Sequence, residues 1–126
     1  MNDIIRYIGS VIIILWGIAH IIPAKPIVKG FGAISEDNKK VLTMELIAEG
    51  LTLIFLGALP VLVAALAGSQ GGLAFIVYLA CAVMLLVMAI LTLMTGARTA
   101  VIWYKICPIV KAVRGGIIYF GGCIVN

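Results

Sequence analysis

Between Leu73 and Thr95 the chain carries no charged residue, and this run constrains the fold more than any other feature. At 1.5 Å of rise per residue a helix of that length crosses a hydrocarbon core of ~30 Å. Three further apolar runs flank it, at residues 7–22, 41–67 and 109–125. The composition agrees with a lipid solvent: 64% of residues are hydrophobic and 11% charged, whereas a soluble domain carries roughly 25% charged residues. The expected fold is an all-α integral membrane protein. It is a single transmembrane domain over residues 1–126, a bundle of four transmembrane helices with a short or tilted fourth span.

Local signals place the boundaries. Pro23 and Pro26 lack the backbone donor that a continuing first helix needs. The polar stretch from Ala24 to Lys40, broken by Gly30-Phe31-Gly32, reads as a jointed loop at the membrane surface. Ser35 is a candidate N-cap, followed by Glu36 and Asp37 in the favourable first turn of a helix that runs to Ala67. Gly68-Ser69-Gln70-Gly71-Gly72 reads as an uncharged turn, and Gly96 as the stop of the third helix. Pro108 suits the first position of the fourth. The leader Met1-Asn2-Asp3-Ile4-Ile5-Arg6 has one Arg balanced by one Asp, so the first span is expected to be retained rather than cleaved.

The net charge of +4 is divided between two clusters. Lys25, Lys29, Lys39 and Lys40 follow span one; Arg98, Lys105, Lys111 and Arg114 follow span three. Arg6 stands alone on the other side. Basic loops stay in the cytoplasm, which puts both termini on the non-cytoplasmic side and Trp103 and Tyr104 in the cytoplasmic aromatic belt. A nucleic-acid footprint needs a contiguous basic surface, and none is present.

Small residues recur every seven positions: Ser10 and Gly17; Thr43, Gly50, Gly57 and Ala64; Ala82, Ala89 and Gly96; Gly115 and Gly122. A heptad of small side chains lets helices approach closely in a left-handed bundle. Gly17, Gly50, Gly57, Gly115 and Gly122 are therefore the expected helix-packing positions.

Intramembrane charges are expensive and each calls for a reason. His20, Glu45, Glu49, Arg98, Lys111 and Arg114 are expected in one layer near the cytoplasmic ends of the four spans, with an apolar outer half beyond. Glu45 and Glu49 lie one helical turn apart on one face. They read either as a proton- or cation-binding pair or as partners for Lys111 and Arg114 at the start of the fourth helix. Pairing is preferred, with Glu49 buried and Glu45 nearer the headgroups. His20, at a helix end, reads first as a cap of terminal carbonyls. No metal site is expected, because the lone histidine has no ligand spacing around it. Cys81, Cys107 and Cys123 are far apart and form no C-x-x-C, which leaves no resolving thiol. Cys81 reads as a small core residue. No nucleophile elbow and no phosphate loop is present, and no cofactor is implied.

In size and span number the chain resembles the small multidrug-resistance transporters. Their essential carboxylate lies in the first helix, where this chain has only Asp3 at its start, so their site does not carry over. The expected function is a bundle binding a small amphipathic ligand or lipid near the cytoplasmic side, alone, as a homo-oligomer or as a subunit of a membrane complex. Two other readings stand beside it: a proton- or cation-coupled transporter using Glu49, and a membrane-embedded enzyme with Glu45, Glu49 and His20 as acid–base groups.

Overall fold

The computed structural model describes residues 2–68 and 71–123, with side-chain surroundings given for 4–68 and 71–117. It is helical throughout, with no strand among the described residues. Helix α1 spans Asn2–Ile21, a short α2 Ala24–Lys29, α3 Glu36–Ala67, α4 Gly72–Met94 and α5 Ile102–Cys123. Three helical stretches are long and apolar enough to cross a membrane, at Ile4–Ile21, Glu36–Ala67 and Gly72–Arg98. Large apolar side chains such as Ile8, Leu15, Phe55, Leu62, Ile76 and Leu91 face outward, the reverse of a water-soluble surface.

Ser35 caps α3, its hydroxyl accepting from the Asn38 N–H at 3.2 Å, and Gly68 ends it at φ +79°, a conformation that suits glycine. The turn beyond includes Ser69 and Gln70, which lie outside the described residues. The segment after α1 is more ordered than a jointed loop: α2 lays Ala24 and Val28 against Leu46, with Ile27, Ile34 and Tyr104 around them. Gly96 opens a 3-10 turn, Gly96–Arg98, rather than simply closing α4.

Helix α5 begins at Ile102, not at Pro108, and carries Pro108 buried inside it. Nothing in Ile102-Trp103-Tyr104-Lys105-Ile106-Cys107 breaks a helix, and although a proline removes its own donor and crowds the carbonyl one turn back, packing against neighbours keeps such a helix intact. Lys111 and Arg114 consequently sit well inside α5, so they do not face the positive end of a helix dipole.

The long helices form a ring in chain order. Helix α1 pairs most extensively with α3, and α4 with α5; α1 also meets α5, and the α3–α4 seam is the loosest. At the α1–α3 crossing a Cβ on Gly17 would lie 2.6 Å from the Gly50 carbonyl oxygen, and one on Gly50 2.7 Å from that of Gly17. Two backbones touch there. A Cβ on Gly57 would meet Ile13, Ile14 and the Ser10 carbonyl, and one on Gly115 would lie 3.2 Å from the Ala82 carbonyl. Gly122 lies outside the residues whose surroundings are described. Ile13, Leu53, Leu56, Tyr78, Cys81 and Leu85 fill the centre of the ring.

Candidate functional site

Helix periodicity brings Tyr104, Cys107, Lys111 and Arg114 to the inner face of α5. The same periodicity turns Trp16 and His20 of α1 and Glu49 of α3 inward. Across the ring Lys111, with no exposed side-chain surface, forms an ion pair with Glu49, whose side chain keeps 25% of its exposure. The Lys111 ammonium also donates to the Thr92 hydroxyl of α4 at 2.9 Å. One buried lysine thus ties α5 to both α3 and α4. An isolated charge at this depth would be strongly disfavoured, and the carboxylate together with the hydroxyl meets most of that cost.

His20 stands beside this pair. Its Nδ1 lies 2.9 Å from the Trp16 carbonyl oxygen; a carbonyl only accepts, so Nδ1 carries the proton and donates. The lone pair is thereby assigned to Nε2, which faces Cys107 Sγ at 3.4 Å and Glu49 Oε1 at 4.0 Å. The Trp16 indole N–H donates to the same sulfur at 3.4 Å. Cys107 is fully buried. Four groups from three helices therefore converge: an imidazole, a thiol, a carboxylate and an ammonium.

The expected single layer of charge divides into two. Arg114 lies beyond the cluster, toward the start of α1, where its Nη2 donates to Ser10 Oγ at 2.6 Å and to the Arg6 carbonyl at 3.2 Å. Its guanidinium packs on Gly9, where a side chain would displace it. No carboxylate pairs with Arg114 among the described residues. Arg6 stacks over the Tyr78 ring, its Cζ 4.8 Å from the centroid. The half of the bundle beyond the cluster is therefore not all apolar: α5 carries its second cation three residues further along the same inner face. Arg98 stands exposed on the 3-10 turn, and Glu45 is exposed.

Two hollows adjoin these groups. The looseness of the α3–α4 seam leaves a cleft of about 530 Å³. Glu45, Glu49, Thr92, Tyr104 and Lys111 form its polar end, and Met84, Met88 and Leu91 its apolar wall. A shallower groove of about 670 Å³ between α2 and α3 is rimmed by Lys25, Lys29, Lys39 and Lys40 over Met44, Ile47 and Leu51. Lys39 and Lys40 there are partly engaged by Glu36 and Asp37.

Sequence reasoning missed Cys107 and Trp16. The available signal was the spacing of Tyr104, Cys107, Lys111 and Arg114, which shares one helical face once α5 is continued back across Pro108. Fold and site together define an all-helical protein with three helices long and apolar enough to cross a membrane and a charged cluster among its helices. Compared with known proteins, the chain matches no family, no curated protein and no solved structure.

Proposed function

We propose that the chain is a four-span membrane bundle that binds a small amphipathic molecule or lipid in the α3–α4 cleft. The observation that carries this reading is the cleft's polarity: Glu45, Glu49 and Tyr104 meet a ligand head, while Met84, Met88 and Leu91 meet its chain. Sites for small molecules are mostly apolar hollows with a few placed polar groups. Helix α5 supplies the fourth crossing in this reading. It turns Lys111 and Arg114 inward and Ile102, Ile106, Ile109 and Val113 outward, so its charge count understates its affinity for lipid. The lysine-rimmed groove between α2 and α3 then faces the anionic cytoplasmic leaflet, with both termini on the opposite side.

The transport reading draws less support, because Glu49 already faces an ammonium and its charge is matched.

The test is an equilibrium titration of the detergent-purified protein with a dansylated alkyl chain. The expected result is a saturable fluorescence increase at one site. Thr52→Trp, which fills the cleft, abolishes it, and Ile76→Trp on the outer face of α4 leaves it intact. Equal loss or equal retention in the two variants would refute the assignment.

A further inference from the structure

We propose that His20, Glu49 and Cys107 form a binding site for a thiophilic transition-metal ion, best matched by zinc(II). The three donor atoms, one from each of α1, α3 and α5, all lie within 4.8 Å of one another. Zinc takes nitrogen and oxygen at about 2.0–2.2 Å and thiolate sulfur at about 2.3 Å, which sets neighbouring ligand atoms of a tetrahedron roughly 3.4–3.6 Å apart. The sulfur–imidazole distance is 3.4 Å and the imidazole–carboxylate distance 4.0 Å. The first already fits, and the second closes with a small rotation of the Glu49 carboxylate.

The groups around the donors hold them in the orientation a metal requires. The Trp16 carbonyl fixes the Nδ1–H tautomer of His20 and leaves the Nε2 lone pair aimed into the site, the usual way a ligating histidine is positioned. The Trp16 indole N–H is directed at the Cys107 sulfur, which favours sulfur as the electron-rich partner. Lys111 orients the carboxylate and is itself held by Thr92. A thiol–imidazole hydrogen bond alone would account for the contact between Cys107 and His20.

The donor set selects the ion. Calcium and magnesium take six or more oxygen ligands, which one carboxylate cannot supply. Sulfur with imidazole suits zinc, and three protein ligands leave a fourth position open. Binding forms a metal–sulfur bond and releases the thiol proton to solvent. The thiolate and carboxylate offset the two charges of the ion, and Lys111 remains on the carboxylate, so the fourth position favours an anion such as hydroxide. Glu49 lines the α3–α4 cleft, which gives the ion a route in.

The experiment uses the full chain in detergent micelles, stripped with a chelator and titrated with cobalt(II). One equivalent is expected to produce tetrahedral visible bands and a sulfur-to-cobalt charge-transfer absorption, both displaced by zinc(II). Cys107→Ser removes the charge-transfer band and His20→Gln weakens binding at least tenfold, while Cys81→Ala changes neither. Because either variant at the cluster could perturb folding, the wild-type protein supplies a second readout: one equivalent of zinc slows alkylation of Cys107 by a membrane-permeant thiol reagent. An unchanged alkylation rate, or a charge-transfer band that persists in Cys107→Ser, overturns the proposal.

Discussion

Breaking the Lys111–Glu49 pair from each side predicts unequal costs. Glu49→Gln leaves an ammonium with no exposed side-chain surface and no counter-charge, only neutral oxygens to donate to. Lys111→Met leaves a carboxylate that retains 25% of its side-chain exposure and opens on the cleft. Removing one partner of a buried pair costs about 3–5 kcal/mol. Glu49→Gln belongs near the upper end of that range, because its stranded charge has no surface exposed to water. Lys111→Met belongs at or below the lower end, because its stranded charge can partly rehydrate. Replacing both removes both charges, so the double variant should be less destabilised than the sum by about 2 kcal/mol or more, within the 0.5–3 kcal/mol range of contacting residues. The assay is unfolding of the purified protein in mixed micelles by increasing SDS, followed by far-ultraviolet circular dichroism. Strict additivity would refute the pairing energetics. A larger loss for Lys111→Met than for Glu49→Gln would refute the argument from exposure.

Other perturbations probe separate parts of the bundle. Gly50→Ala would set a methyl 2.5 Å from Ile21 Cγ1 and 2.7 Å from the Gly17 carbonyl oxygen; overpacking of that kind costs ~1–3 kcal/mol, while Gly72→Ala, with open space around it, should leave the SDS midpoint unchanged. Arg114→Met removes a buried guanidinium whose Nε and Nη1 find no partner among the described residues, so thermal stability in detergent should hold or rise; a clear fall would show that the bonds to Ser10 and the Arg6 carbonyl outweigh the buried charge. Anionic phosphatidylglycerol should raise the melting temperature more than neutral phosphatidylcholine does, and Lys25→Gln with Lys29→Gln should erase the difference.

Hydrophobic runs made α1, α3 and α4 legible from the sequence, because length and the absence of charge are enough to specify such helices. The Glu49–Lys111 contact was legible for a related reason: two opposite charges at comparable depth in an apolar bundle have few other places to go. Cys107 was not legible, because Pro108 reads as a helix start and leaves the cysteine outside α5, where its alignment with Lys111 one turn away cannot be seen. The same misplaced start put Arg114 in the layer of Glu49, when the true phase and length of α5 carry it past that layer to Gly9 and Ser10. The small-residue heptads show which positions tolerate close approach, but not that Gly17 and Gly50 oppose each other. That depends on the crossing point of α1 and α3, which no single helix encodes.

Ligand binding in the α3–α4 cleft can be read by native mass spectrometry of the protein released gently from detergent. One tightly retained amphipathic adduct is expected on the wild-type chain, preserved in Ile76→Trp and absent from Thr52→Trp. A spectrum in which all three proteins carry the same adducts, or none carries any, would contradict it.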